Sequence, residues 1–250
     1  MHSISANLNI MIRASEKASK TLIRDFGEIE KLQVSLKGPS DYVSNADKKS
    51  EKIIINELVK ARKKFSILSE ENGTKINDDK DNVWIIDPID GTSNFLHGIP
   101  HFAISIALKS NNEIVSGLIY DPIKDEMFYA EKNNGAYLNN KSIRVSKRKN
   151  LEECLFATGG KEIPNEGFNN SLTIRKSGSA ALDIAYVAAG RFDGYFQKNL
   201  NLWDIAAGIV IAKEAGAYIN DINLNRKNKI KAIISNNSIS EKLLKNLSNF

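Results

Sequence analysis

Val83-Trp84-Ile85-Ile86-Asp87-Pro88-Ile89-Asp90-Gly91-Thr92-Ser93-Asn94-Phe95 opens as a buried strand and ends in a turn that carries two carboxylates. Pro88 fixes its own φ and presses Asp87 toward an extended conformation. Asp87 and Asp90, three residues apart around a tight turn, can converge on one point. Two such charges about 4 Å apart repel by roughly 4 kcal/mol at an effective dielectric near 20, and a bound cation reverses the sign. Ligands made only of oxygen select a hard ion, with magnesium the usual cellular choice. Gly91 lets another backbone come close, and Thr92 onward can begin a helix whose free N–H groups suit an anion. Metal ligands beside an anion cradle make a phosphate site. Asp-Pro-x-Asp-Gly is also ordinary turn chemistry, so the stretch by itself leaves both readings open.

Working outward, residues 5–31 place Leu8, Met11, Ile12, Ala18, Leu22 and Ile23 at helical spacing, and Lys37-Gly38-Pro39 breaks that helix. A second helix is expected over about 47–64, with Ile53, Ile54, Leu58 and Ala61 on one side. A short strand at 66–68 leads into Ser69-Glu70-Glu71-Asn72-Gly73. Downstream, three segments between 102 and 149 alternate apolar and polar residues, as antiparallel strands do. Beyond Cys154 helices mix with strands: helices at 179–190, 203–215 and 240–247, strands at 193–197, 217–220 and 231–235. Gly216 closes the middle helix. The order gives an α+β/α/β chain in two halves, residues 1–145 with most of the candidate ligands and 146–250 completing the site, packed as one unit. Glu70, Glu71 and Asp204 join Asp87 and Asp90 as carboxylates at the ends of elements. Asp204 is equally suited to capping its helix, Asp47 to a first helical turn, and Glu70-Glu71 to a solvated turn.

Composition narrows the chemistry. The 250 residues are 42% hydrophobic and 26% charged, a soluble globular balance. The longest apolar run, 205–212, is far short of the roughly 20 residues of a membrane span. The first residues, MHSISANLNIMIRASEK, interrupt with charge before a signal-peptide core forms, and a cytoplasmic location is expected. One cysteine and three histidines leave no disulfide framework and no cysteine-built zinc site. G-x-S-x-G, Walker A, G-x-G-x-x-G and H-E-x-x-H are all absent from the sequence. The net charge of +5 gathers partly at Lys60-Ala61-Arg62-Lys63-Lys64, Lys147-Arg148-Lys149 and Arg226-Lys227-Asn228-Lys229. Without interleaved aromatics these read first as solvated surface, with RNA contact as the alternative.

Trp84 to Phe95 resembles the first signature of the inositol monophosphatases, and Trp203-Asp204-Ile205-Ala206-Ala207-Gly208, continuing to Glu214-Ala215-Gly216, resembles the second. Ser69-Glu70-Glu71 and Asp41-Tyr42-Val43-Ser44-Asn45-Ala46-Asp47 match two further segments of that family. Gly178-Ser179-Ala180-Ala181-Leu182-Asp183 and Ala188-Ala189-Gly190-Arg191 are most similar to its bacterial extragenic-suppressor branch. The resemblance covers nearly the whole chain. It implies a layered αβαβα sandwich, a homodimer, two or three magnesium ions, lithium sensitivity, and hydrolysis of inositol monophosphate or another small polyol or sugar phosphate. By motif position, Glu70, Asp87 and the Ile89 carbonyl would hold the first ion, and Asp87, Asp90 and Asp204 the second. Glu70, Thr92 and Asp47 would activate water, with Asp47 orienting the Thr92 hydroxyl. The N–H groups of Gly91 and Thr92 would hold phosphate, and Asp90, Ala180, Gln197 and Asp204 would face the polyol. Gln197 departs from the family's usual glutamate, Ala217 stands where a second glycine is usual, and 158–175 and 223–229 look short. Some bacterial relatives suggest a role with RNA or the transcription machinery, which is the alternative function.

Overall fold

A computed structural model describes residues 4–32, 39–159 and 172–247. Two long helices, α1 (Ala6–Leu32) and α2 (Pro39–Ala61), lie together on one face of an eight-stranded sheet. Leu8, Met11, Ala14, Ala18 and Leu22 of α1 meet Trp84, Ile86, Ile104 and Ile106 of the sheet in one buried cluster. The helix expected from about residue 47 starts eight residues earlier. Pro39 is its first residue, where a missing N–H removes no helical bond and φ is already set. The break expected at Lys37-Gly38 lies outside the described residues.

The sheet runs β2-β1-β3-β4-β5-β6-β7-β8, and only the β1–β3 pair is parallel. Its strands are β1 (Phe65–Ser69), β2 (Gly73–Lys75), β3 (Asp79–Asp90), β4 (Ala103–Ser110), β5 (Glu113–Asp121), β6 (Glu126–Glu131), β7 (Ala136–Leu138) and β8 (Lys141–Ile143). The expected tight turn at Asp87-Pro88-Ile89-Asp90 is instead the last stretch of β3. Asp87 pairs with Ser105 and Asp90 with Ala103, so three steps on β3 face two on β4. That is a one-residue bulge, a place where a strand tolerates proline and where side chains are re-aimed. A five-residue helix, α3 (Thr92–Leu96), follows at once.

The second sheet has five strands in the order β10-β9-β11-β13-β12: β9 (Leu155–Ala157), β10 (Thr173–Arg175), β11 (Gly194–Leu200), β12 (Ala217–Ile219) and β13 (Ile230–Asn236). Helices α4 (Ala180–Ala188) and α5 (Leu202–Glu214) fill the space between the sheets. The approach is close: a Cβ on Gly117 of β5 would stand 2.6 Å from the Ala207 carbonyl oxygen and 2.6 Å from Val210 Cγ1. The last helix, α6 (Ser240–Asn246), covers the outer face of the second sheet through Leu243 and Ile239. The layers are therefore α, β, α, β, α, as the sequence led one to expect.

Candidate functional site

Glu70 follows β1, Asp87 to Asp90 end β3, Gly91 and Thr92 open α3, and Asp204 sits in the first turn of α5. Together with Ile89, Gly159, Gly178, Ser179, Ala180 and Gln197 they line one cavity of about 290 Å³. Of the residues expected at the site, Asp47 alone does not line it. Gly91 adopts φ +98°, and a Cβ there would meet the His101 carbonyl oxygen at 3.1 Å and that of Gly178 at 3.3 Å. Asn94 ties those segments together, its Nδ2 donating to the His101 oxygen at 2.7 Å and to the Ser177 oxygen at 2.8 Å.

Three of the carboxylates are oriented by protein donors. Asp87 Oδ1 accepts from the Ile89 N–H at 3.0 Å. Asp90 Oδ2 accepts from the Ser179 hydroxyl and from the Ala181 N–H at 2.9 Å. Asp204 Oδ2 accepts from the Asn201 N–H at 2.8 Å, closing a capping box on α5. Asn201 is the N-cap, so Asp204 is not itself the cap but the residue three on that bonds back to it, and the same residue lines the cavity. Thr92 Oγ1 donates to the Ile89 carbonyl at 2.9 Å. The bond expected between Thr92 and Asp47 is not made, and Asp47 Oδ1, buried in α2, has no partner among the described residues.

Burial raises every one of these acids, and repulsion from neighbouring carboxylates adds to it at Asp47, Glu70, Asp87 and Asp90. Asp47 is pushed up to about 8 by burial and then by Glu71, Glu70 and Glu51. Asp87 stands well above the usual carboxylate range, for burial first and the neighbouring carboxylates next; Asp90 is raised to about 8 by burial, the bonds from Ser179 and Ala181 opposing the repulsion of Asp204. Asp204 is raised to about 6 by burial, its bonds to Asn201 pulling the other way. Glu70 is exposed as a residue, yet packing around its carboxyl end moves it up while its bond with Asp87 pulls it down. Such a group of oxygens fits a hard cation: four carboxylates and one carbonyl on a single wall, while Asp47 Oδ1 and Ser69 Oγ, outside the lining, are buried with no partner among the described residues. Among the described residues no three acidic, histidine or cysteine side chains already converge on one metal-sized point. Asp87, Asp90 and Asp204 each spend an oxygen on a protein donor instead.

Two supporting residues, Glu51 and Ser179, had no role assigned from sequence. Glu51 is fully buried in α2 and accepts from the N–H of Glu71 at 3.0 Å and of Asn72 at 3.1 Å, fixing the turn that bears Glu70. Ser179 caps α4, accepting from the Leu182 N–H, while its hydroxyl donates to Asp90. A serine before an apolar helical run is a capping signal; its link to a carboxylate 89 residues away is not. The basic clusters are partly engaged: Arg62 donates to Asn7, Arg148 to buried Asp193, and Lys227 to Thr74. Among the described residues no helix is long and apolar enough to cross a membrane. The segment 158–175, which looks short in sequence, lies mostly outside the described residues.

The model of the inositol monophosphatase family matches residues 5–249. An inositol-1-monophosphatase of Rhizobium meliloti is 48% identical over 87% of this chain and 86% of its own. A Xylella fastidiosa relative named Nus factor SuhB is 41% identical over 86% of this chain and 81% of its own. The crystal structure of the extragenic suppressor protein SuhB from Bartonella henselae superposes with a TM-score of 0.87 at 46% identity, covering 98% of this chain and all of that one.

Proposed function

This chain belongs to the inositol monophosphatase family and is a phosphatase, and we propose that it is a magnesium-dependent phosphomonoesterase acting on inositol monophosphate or a related small polyol or sugar phosphate. The observation that carries the reading is the single cavity in which Glu70, Asp87, Asp90 and Asp204 meet the Gly91-Thr92 backbone. Four acids raised by burial, next to a backbone approach that only glycine permits, suit cations and a phosphate together.

In this reading Glu70, Asp87, the Ile89 carbonyl, Asp90 and Asp204 hold two or three magnesium ions. When bound, the ions supply positive charge to the phosphoryl oxygens and acidify a water. The N–H groups of Gly91 and Thr92 orient the phosphate. Glu70 and the Thr92 hydroxyl position the attacking water, and Glu70 can take its proton. Asp47 would support this pair from α2, its Oδ1, without a partner among the described residues, serving as the acceptor that orients the Thr92 hydroxyl. Asp90, Ala180, Gln197 and Asp204 bound the space left for the leaving alcohol. Homodimerisation, lithium inhibition and a cytoplasmic location belong to the same proposal and draw on the family.

The test is phosphate release from inositol 1-phosphate, fructose 1,6-bisphosphate, 3′-phosphoadenosine 5′-phosphate and NADP, with magnesium and with EDTA. Magnesium-dependent turnover lost in Asp87→Asn supports the reading. Silence across the panel from folded, metal-loaded protein would refute it. A second reading, a regulatory contact with RNA or the transcription machinery, draws on the relatives named Nus factor SuhB. It requires binding that persists in Asp87→Asn.

A further inference from the structure

Gln197 lies on β11, half-buried, with its amide on the wall of the cavity that holds the four carboxylates. Its Oε1 accepts twice: from the Gly159 N–H at 2.8 Å and from the hydroxyl of fully buried Tyr195 at 2.8 Å. A backbone N–H can only donate, so the amide atom it faces must be the oxygen. The reversed amide would set N–H against N–H. Gly159 lies hard against the group, since a Cβ there would stand 2.4 Å from Oε1 and 3.1 Å from Nε2. The amide is thus fixed with its oxygen consumed by the protein. Nε2, the other arm, has no acceptor among the described residues and is not sealed from solvent.

The rest of the lining makes that orientation matter. Every ionisable residue on the cavity wall is a carboxylate. The hydroxyls of Ser179 and Thr92 already donate to Asp90 and to the Ile89 carbonyl. Gln197 therefore offers a leaving group two N–H donors and no acceptor, and it adds no negative charge. A donor bonded to an ionised acceptor is roughly twice as strong as one bonded to a neutral oxygen.

We propose that Gln197, locked by Gly159 and Tyr195, makes this site select phosphomonoesters whose leaving group carries a second anionic acceptor, a phosphate or a carboxylate, over esters that offer hydroxyls alone. The proposal rests on the phosphatase reading and narrows its substrate class. Glutamate at this position would keep both bonds from Gly159 and Tyr195, so Gln197→Glu preserves the wall while exchanging two donors for a like charge.

The experiment compares the wild type with Gln197→Glu on two matched pairs. Inositol 1,4-bisphosphate against inositol 1-phosphate tests a second phosphate, and 2-phosphoglycerate against glycerol 2-phosphate tests a carboxylate. The wild-type preference in kcat/KM for the anionic member of at least one pair should fall by about 10- to 100-fold in Gln197→Glu, with most of the loss in KM for the anionic member. Gln197→Met, which removes the donors without adding charge, should fall between. Calorimetric binding of the non-hydrolysable phosphonate analogues of all four should show the same ratio whether or not the esters are cleaved. Ratios equal in wild type and Gln197→Glu, in turnover and in binding, would overturn the proposal. Shifted binding ratios without turnover of any ester would uphold it and overturn the phosphatase reading instead.

Discussion

Ser179 does two jobs with one hydroxyl: the oxygen accepts from the Leu182 N–H to begin α4, and the proton goes to Asp90. Such outer partners orient a metal's carboxylates, and their loss costs about 10- to 100-fold in metal affinity or activity. Ser179→Ala should raise the magnesium concentration for half-maximal turnover by that factor, with activity regained at saturating magnesium. The lost cap should cost about 1 kcal/mol as well. A magnesium titration of phosphate release decides it, and an unmoved midpoint would show that the Ala181 N–H alone holds Asp90. Gly159 offers a second test at this scale. An added methyl would strike the end of the Gln197 amide rather than backbone, so the amide should swing and the fold survive. Gly159→Ala should therefore raise KM about tenfold for esters that use the amide and leave thermal unfolding within the roughly 0.5 kcal/mol of an ordinary surface change. A matching loss of stability would instead make Gly159 a folding residue.

Helix α5 carries Asp204 into the cavity at its first turn and buries Ala206, Ala207 and Val210 between the sheets. Its position depends on Gly117 of β5, because a Cβ there would stand 2.6 Å from the Ala207 carbonyl oxygen. Backbone cannot swing aside as a side-chain tip can. Gly117→Ala should cost about 1–3 kcal/mol, lowering Tm by about 2–4 °C for each kcal/mol in a chain of this size. Unchanged Tm would mean that α5 can slide on the sheet. Elements of this kind were legible in sequence: Val83 to Ile86 is apolar enough to be a central strand, and 203–215 is an apolar helix ended by glycine. The bulge was not, because whether Pro88 ends a strand or kinks it depends on Ala103 of β4 pairing beyond it. The three-residue strands β2, β7 and β8 are too short to show a period. Glu51 and Ser179 were also hidden, since a buried helical glutamate and a capping serine acquire their roles only from partners 20 and 89 residues away. The Asp47–Thr92 bond came from the family resemblance, and in this structure the Ile89 carbonyl takes the Thr92 proton instead.

At the scale of the molecule, a chain of net charge +5 brings four carboxylates to one cleft between two sheets, with no cationic side chain among the described residues on its wall. The cleft joins Asp87 and Asp90 from the first sheet to Asp204 from the helix layer and Gln197 from the second sheet. Asp47, Asp87, Asp90 and Asp204 all have folded values above their unfolded ones. Between about pH 4 and 8 these four positions therefore hold more protons in the metal-free folded state than in the unfolded chain. Their contribution to stability is then greatest at the acid end and declines as pH rises through the folded values, about 6 for Asp204 and about 8 for Asp47. Cations need ionised ligands, so binding releases protons and tightens as pH rises. Magnesium should thus raise Tm little at pH 5 and clearly at pH 8. At 100 times its dissociation constant the stabilisation is about 2.7 kcal/mol, or roughly 5–11 °C at this chain length. Calorimetric scans with magnesium or EDTA across that range read the difference directly. A magnesium effect independent of pH would mean that the buried acids are ionised without the metal, and with that the electrostatic basis of the cation site would fail.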